Sequence, residues 1–156
     1  MEQYPRRKRT RLSAANYANP NEICSVTIAV KGRQPVFSDP GIASDAIGVL
    51  RSLAAARQVP IFAFCLMPDH VHLVLSPSES CSIITFVGQF KNLVLRSSWN
   101  HGVAGSFWQQ GFWDHFLRAD QELHVAVEYV LANPVRAGLV EDARRYPHSG
   151  SLELTP

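Results

Sequence analysis

The sequence predicts an α+β domain in which helices pack on one antiparallel sheet. The chain has 156 residues, of which 46% are hydrophobic and 18% charged, and this composition suits a single globular domain spanning 1–156. Short apolar runs alternate with longer segments of helical periodicity, and two of the runs are separated only by a short turn, as in a hairpin. The predicted order is strand, helix, strand, strand, helix, strand, helix, similar to a split βαβ plan.

The first half of the chain supplies one strand, one helix and the hairpin. Residues 23–30 (ICSVTIAV) are apolar and rich in β-branched side chains, which favours a strand. The segment 39–58 opens with Asp-Pro and repeats apolar residues at helical spacing, so we expect one of its faces to pack on the sheet. Two apolar runs within 61–76 flank a Met-Pro-Asp segment, which predicts a hairpin with Pro68 at its turn.

The second half supplies two helices separated by an aromatic strand. Residues 82–99 repeat apolar side chains at helical spacing. Residues 107–117 (FWQQGFWDHFL) follow turn residues and predict a strand of imperfect alternation. The last helix should cover about 121–132, with Asp120 as its N-cap. The Asn-Pro pair at 133–134 should end it, because the residue before a proline is pushed out of helical geometry.

Composition and charge narrow the function classes. The apolar runs are shorter than the ~18 residues that a membrane span needs, and the basic start has no apolar segment behind it, so we expect a cytoplasmic protein without membrane contact. The three cysteines form no C-x-x-C pair, which argues against a disulfide framework and a thiolate zinc site. The start of the chain is either a solvated tail or a phosphate-binding arm. Its basic residues are Arg6, Arg7, Lys8, Arg9 and Arg11.

Two histidines stand one residue apart in the apolar segment PDHVHLVLSP. Because side chains alternate along a strand, His70 and His72 should share a face with their Cα atoms roughly 6.6–6.8 Å apart, while Val71 points to the core. Both imidazoles can then turn onto one divalent ion at metal–nitrogen distances of ~2.1 Å. The alternative is one surface histidine and one satisfied interior histidine. Asp69 could orient His70, although a role in the turn is the stronger expectation.

The last helix carries a tyrosine that could react with a phosphodiester. Tyr129 and Asn133 are four residues apart and so share one helical face. A phenol is a poor nucleophile in water, but beside a divalent cation it can attack a polarised phosphodiester and form a phosphotyrosine. Asn133 could supply an oxygen ligand to that cation. The alternative for Tyr129 is a ring packed on the sheet with its hydroxyl in water.

Three segments, PDHVHLVLSP, FWQQGFWDHFLR and EYVLANPVRAGLV, resemble in this order the single-tyrosine HUH transposases. Within them, the chain is similar to the REP-associated tyrosine transposase-like branch, an IS200-like transposase domain. The basic start and the closing RRYPHSGSLE also resemble this family, so the resemblance runs nearly end to end, with 1–22 as a basic N-terminal arm. It implies a ferredoxin-like HUH domain: an antiparallel sheet with helices on one face, a metal site on the sheet and a C-terminal tyrosine helix beside it.

The resemblance also implies an activity and its residues. It assigns His70 and His72 as metal ligands, Tyr129 as the nucleophile, and Asn133 to the place of a polar third ligand. The implied reaction is metal-dependent cleavage and joining of single-stranded DNA through a 5′-phosphotyrosine, with Mg²⁺ or Mn²⁺ as cofactor. A hairpin-forming single strand is the implied partner, and a homodimer stays open. Two alternatives also stay open: a non-catalytic nucleic-acid-binding domain of the same fold, and a phosphodiesterase that uses water.

Further residues are candidates for supporting roles. Asp114 and His115 lie beside the site in the family pattern and could hold a ligand or touch DNA, although a structural role in the strand is the stronger expectation. Basic residues outside the arm could line a phosphate track, although a single such residue is more often solvated surface. The predicted DNA contacts outside the arm are Lys91 and Arg136.

Overall fold

A computed structural model describes residues 13–118 and 120–153, without the side chains of residues 120 and 121. The strands in this part of the chain are β1 (Ile23–Ala29), β2 (Ile61–Met67), β3 (His70–Leu75), β4 (Trp113–Leu117) and β5 (Ser149–Gly150). The α-helices are α1 (Ala14–Ala18), α2 (Pro40–Arg57), α3 (Ile83–Trp99), α4 (Asp120–Leu131) and α5 (Asn133–Arg136). The predicted order of elements is confirmed, and α1, α5 and β5 are additions to it.

The strands form one antiparallel sheet with the order β4-β1-β3-β2-β5. The predicted hairpin is β2 and β3, and β3 lies at the centre of the sheet, between β2 and β1. The central position explains why every residue of β3 is buried. It also means that both neighbours of the two histidines are strands rather than solvent.

The aromatic strand predicted for 107–117 is shorter than expected, because only its last part, Trp113–Leu117, pairs along β1. Trp108 instead makes an isolated bridge with Val30. Between these two pairings Gly111 has a φ of 77°, a left-handed conformation that glycine adopts readily and that interrupts extended backbone. The first part of the segment is therefore a buried aromatic loop.

The two faces of the sheet carry different helices. The core face packs against α2 and α3 and contains Val26, Ile28, Val71 and Leu73. The histidine face alternates with it along the same strands and contains Ser25, Thr27, His70, His72 and Val74. Helix α4 covers part of the histidine face, where its Val127 and Val130 cluster with Val74. Helices α2 and α3 thus share one face as expected, and the tyrosine helix lies on the other.

Side chains cap the two long helices where the sequence signals place their starts. Asp39 accepts hydrogen bonds from the backbone nitrogens of Gly41 (2.8 Å) and Ile42 (3.2 Å) at the start of α2. Ser82 accepts one from the backbone nitrogen of Thr85 (3.1 Å) at the start of α3. Both caps satisfy backbone donors that have no partner within the helix.

The tyrosine helix begins one residue earlier than expected and is followed by a second short helix. Asp120, predicted as the N-cap, is instead the first residue of α4, and the carboxylate of Glu122 accepts a hydrogen bond from the backbone nitrogen of Arg118 (2.6 Å). The Asn-Pro pair ends α4 as predicted, and Pro134 then lies in the first turn of α5. Within 13–118 and 120–153, no helix combines the length and apolar character needed to cross a membrane.

Candidate functional site

Strand β3 directs two imidazoles to the histidine face, as its alternation predicts. His70 and His72 are each 8% exposed, and Val71 between them belongs to the core face. The two Nε2 atoms lie 3.0 Å apart. The two ring nitrogens therefore meet on the histidine face of the sheet.

The spacing of this pair suits a divalent metal ion. Two ligand atoms at ~2.1 Å from an octahedral ion and at right angles to each other are about 3.0 Å apart, which matches the measured separation. Among the described residues, no group of three or more histidine, cysteine, aspartate or glutamate side chains could hold a metal.

The other nitrogen of each ring contacts an oxygen atom. His70 Nδ1 lies 2.6 Å from Asp69 Oδ1, and His72 Nδ1 lies 3.0 Å from Thr27 Oγ1. When each Nδ1 carries the ring proton, it donates to that oxygen, and Nε2 then carries the lone pair with which an imidazole binds a metal. Asp69 thus orients the imidazole, the weaker of the two sequence expectations for it, while its backbone carbonyl accepts from Val30 nitrogen (2.9 Å).

Burial keeps the second histidine neutral. Burial, with smaller contributions from the nearby His70 and Arg136, lowers the pKa of His72 to about 3. A neutral imidazole is the form that binds a metal, because protonation would occupy the Nε2 lone pair. His72 is therefore available as a ligand throughout the physiological pH range.

A cavity of about 590 Å³ adjoins His70 and is called the histidine cavity. Asn133, which is 9% exposed, and Arg136 line it from α5. Arg33, in the turn after β1, lines it as well. The fold therefore brings the predicted amide ligand and one predicted DNA-binding arginine to the same cavity as a predicted metal ligand.

Tyr129 lies at the surface of the protein. The residue is 49% exposed, so it is not part of the hydrophobic interior. The guanidinium carbon of Arg136 lies 3.9 Å from the ring centroid, and Arg136 Nη2 donates to the Tyr129 carbonyl at 2.6 Å. Tyr129 lines a second cavity of about 470 Å³, the tyrosine cavity, together with Ser25 and His115. Arg136 thus borders the histidine cavity and also contacts a residue that lines the tyrosine cavity.

The two candidates on β4 lie on opposite faces of the sheet. His115 pairs with Ser25 and so belongs to the histidine face, where it lines the tyrosine cavity. Asp114 pairs with Val26 on the core face, away from the histidines. Its Oδ2 is buried and has no hydrogen-bond partner among the described residues. Only His115 is therefore placed to support the site directly.

The other predicted DNA contacts are not gathered at the two cavities in the described part of the chain. Lys91 Nζ donates to the carbonyls of Gln109 (2.8 Å) and Gly111 (3.0 Å), so it fastens the aromatic loop to α3. The basic residues of the arm lie outside the described residues; they are Arg6, Arg7, Lys8, Arg9 and Arg11. Their role stays a prediction.

Two contributors to this site have no recognisable sequence signal. Thr27 contacts His72 only because β1 pairs with β3 in a register that places these residues opposite each other. Arg33 reaches the histidine cavity from a turn that no periodicity describes. A Lys-Gly-Arg segment after a strand predicts a turn, but not which cavity the turn faces.

Solved structures show that this arrangement is a known fold. A structure of a REP-associated tyrosine transposase bound to a REP hairpin superposes with a TM-score of 0.69, at 21% identity over 96% of this chain and 82% of that chain. A protein of Deinococcus radiodurans R1 described as a transposase superposes with a TM-score of 0.52, at 21% identity over 83% of this chain and 97% of that chain. The chain thus has the α+β fold of a class of transposases.

Sequence comparison gives the family itself. The family model described as "Transposase IS200 like" matches residues 22–133, which is more than half of the chain. The chain therefore belongs to the IS200-like transposase family.

Two curated relatives are named as REP-associated tyrosine transposases. One, from Haemophilus influenzae, is 29% identical over 98 residues, covering 56% of this chain and 56% of that protein. The other, from Escherichia coli K12, is 26% identical over 93 residues, covering 60% of this chain and 54% of that protein. This chain spans about half the length of these relatives.

Proposed function

We propose that this chain cuts and rejoins single-stranded DNA through a covalent bond to Tyr129, at a divalent metal ion held by His70 and His72. The observation that carries the proposal is the 3.0 Å separation of the two Nε2 atoms, which suits neighbouring ligands of one ion. Membership of the IS200-like transposase family supports the same class of reaction.

The proposed metal ligands are the two Nε2 atoms and the side-chain oxygen of Asn133. Mg²⁺ or Mn²⁺ suits this mixture of imidazole, amide and phosphate oxygen ligands. When bound, the ion polarises the scissile phosphodiester and offsets its negative charge. The carboxylate of Asp69 can only accept, so it favours the His70 tautomer with its proton on Nδ1, and the Thr27 hydroxyl can accept from His72 Nδ1 in the same tautomer.

Tyr129 is the proposed nucleophile. Its Oη forms a bond to phosphorus while the bond from phosphorus to the 3′ oxygen breaks, which leaves a 5′-phosphotyrosine and a 3′-hydroxyl. The phenol proton passes to water, and the departing 3′ oxygen takes up a proton from water. A second 3′-hydroxyl can reverse the step, which restores the phenol and joins two strands without an external energy source.

The proposed partner is a hairpin-forming single strand. The structure of the relative described as bound to a REP hairpin supports this choice. Arg136 is proposed to contact the phosphate backbone, because it borders the histidine cavity and contacts Tyr129. Lys91 and the basic arm are the further proposed DNA contacts, a homodimer is one proposed assembly, and the cytoplasm is the proposed location.

A non-catalytic DNA-binding domain is the second candidate function. One observation favours it: Tyr129 and His70 line different cavities. In that case DNA binding would be unaffected by chelators and by His70→Ala, and the protein would not become attached to DNA.

The experiment that separates these functions is a search for a covalent adduct. The chain is incubated with a hairpin-bearing single strand and Mn²⁺ or Mg²⁺, and the products are separated under denaturing conditions. We expect a protein–DNA adduct that a chelator or Tyr129→Phe abolishes, whereas the matched control Tyr146→Phe retains it. An adduct that is undiminished in Tyr129→Phe would refute the assignment of the nucleophile, and DNA cleavage without any adduct would favour water as the nucleophile.

A further inference from the structure

The histidine cavity contains a second arginine besides Arg136. Arg33 ends a short 3-10 turn, Lys31–Arg33, shortly after β1, and it lines the same cavity as His70 and Asn133. Arg136 lines the cavity from α5. Arginines from two separate elements therefore border one cavity together with the proposed ligands His70 and Asn133.

The backbone at Arg33 is in a conformation that favours glycine. Arg33 has a φ of 52° and follows Gly32, whose φ is 60°. This left-handed region brings the Cβ of an L-residue close to its own carbonyl oxygen, so an arginine there is strained and glycine is not. In the described part of the chain, Gln58 is the other non-glycine residue with positive φ (56°), and it ends α2, where such a conformation is common. Strain of this kind concentrates at functional sites.

Hydrogen bonds hold this turn close to the histidine pair. The backbone nitrogen of Val30 donates to the carbonyl of Asp69 (2.9 Å), the residue whose carboxylate orients His70. The nitrogen of Arg33 donates back to the carbonyl of Val30 (3.2 Å). The position of Arg33 relative to β3 is thus set by the fold before any ligand binds.

The lining of the histidine cavity suits an anion that carries an apolar group. Among the described residues that line it, Asp69 is the only acidic one, and its carboxylate contacts the His70 ring. The lining also includes the apolar side chains of Pro35, Met67 and Leu139. A volume of about 590 Å³ lies within the range of small-ligand sites. Such a cavity can hold the base and sugar of one nucleotide while its phosphate meets a guanidinium.

We propose that the histidine cavity binds a nucleotide next to the scissile phosphate and that Arg33 contacts the phosphate of this nucleotide. This inference rests on the proposed function and assigns a strand-positioning residue to it. Arg33 would fix the register of the strand over the histidine pair, whereas Tyr129 would react with the neighbouring phosphate. The strain at Arg33 is then offset by the charged contact to DNA.

Two matched glycine variants separate the effect of releasing backbone strain from the effect of losing a DNA contact. Arg33→Gly and Gln58→Gly both remove a strained Cβ, so the thermal unfolding midpoint should not fall in either variant. Binding to a hairpin-bearing single strand is measured across a salt series in a Tyr129→Phe background, where no adduct can form. For Arg33→Gly we expect about fivefold weaker binding at 0.1 M salt and a salt slope smaller by about 0.7, the loss of one phosphate contact. Gln58→Gly should retain the parent affinity and slope.

A charge-neutral DNA backbone tests the position of the contact. Methylphosphonate is placed at single positions on either side of the cleavage site of the same strand. Methylphosphonate at one flanking position should weaken DNA binding by the protein that has Arg33. The same methylphosphonate should not weaken DNA binding by Arg33→Gly any further. Arg51→Gln, on α2 at the core face, serves as the control for a general loss of positive charge, and it should respond to every position as the parent does.

The outcomes distinguish this inference from the proposed function. If wild-type protein forms the adduct but Arg33→Gly binds DNA like Gln58→Gly, the role of Arg33 is refuted and the cleavage reaction stands. If no adduct forms but Arg33→Gly loses affinity and salt slope, the reaction of Tyr129 is refuted and the phosphate contact of Arg33 stands. If the Tyr129→Phe protein binds no DNA, the nucleotide site is refuted as well.

Discussion

The two faces of the sheet belong to the same strands but carry different kinds of side chain. In β3, Val71 and Leu73 enter a continuous apolar core with α2 and α3, whereas His70 and His72 alternate with them on the histidine face. Helix α4 adds only a small apolar cluster on that second face. We infer that the core face supplies most of the stability of the fold. The histidine face contributes less to stability and can therefore hold polar groups at fixed distances. Substitutions on the core face should therefore have the larger effect on stability, and substitutions of the polar groups on the histidine face should affect the chemistry.

The largest effect on stability should come from the core face. Phe86 on α3 is fully buried, so Phe86→Ala should lower the free energy of unfolding by about 3–5 kcal/mol, measured by urea denaturation. Val127→Ala, in the smaller cluster under α4, removes less apolar surface and should cost roughly 1–2 kcal/mol. Equal costs for the two variants would contradict the division between the faces.

The next effect concerns metal binding. His72→Ala removes one of two proposed nitrogen ligands and should weaken Mn²⁺ binding by more than about 100-fold, measured by calorimetry, because the loss of a ligand should exceed that of its supporting partner. His101→Ala is the control for the loss of an imidazole, since His101 lies outside the histidine face, where its Nε2 is 2.6 Å from the carboxylate of Asp45. Unchanged Mn²⁺ affinity in His72→Ala would refute the site.

A smaller effect is expected from the carboxylate behind the first histidine. Asp69→Asn keeps the shape of the side chain but removes the charge that holds the Nδ1 proton of His70. Mn²⁺ affinity should fall by about 10- to 100-fold. Asp45→Asn, the corresponding change at His101, should leave it unchanged. If Asp69→Asn also leaves it unchanged, the carboxylate serves only the turn.

The local geometry of the histidine pair follows from the sequence, because strand alternation alone places His70 and His72 on one face. The helix starts at Asp39 and Ser82 also follow from local signals, since a capping side chain acts on its own next turn. Contacts made by pairing are different. Thr27 meets His72 through the register of two strands distant in sequence, which no local pattern encodes.

The aromatic segment shows the same limit. Its composition suits a strand throughout, but Trp108 pairs with Val30 and the conformation of Gly111 breaks the extension before Trp113. Tertiary packing thus overrides the β propensity of the first half of the segment. The location of α4 on the face opposite α2 and α3 is likewise a property of the whole fold.

The smallest effect should come from the chain that closes the histidine face after α5. Tyr146 donates its hydroxyl proton to the carbonyl of Leu66, and Tyr146→Phe should cost about 1 kcal/mol of stability. Burial, with a contribution from Cys65, raises the pKa of Tyr146 to about 12 from 10. The folded state therefore holds this proton more tightly, so the stabilisation is complete below pH 10 and is lost as the pH rises towards 12.

Urea denaturation at several pH values checks the direction of this pH dependence of stability. Between pH 10 and 12 the wild-type protein should lose more stability than Tyr146→Phe, so that the difference between them shrinks. A difference in stability that stays constant over this pH range would contradict the raised pKa of Tyr146.

The central claim is that two neighbouring imidazoles of the histidine face bind one divalent ion, and pulsed electron paramagnetic resonance of the Mn²⁺-loaded protein tests it most directly. We expect nitrogen couplings from two imidazoles in the wild-type protein, from one in His70→Ala or His72→Ala, and from two in His101→Ala. A spectrum without nitrogen couplings, identical in the wild-type protein and His72→Ala, would contradict the claim.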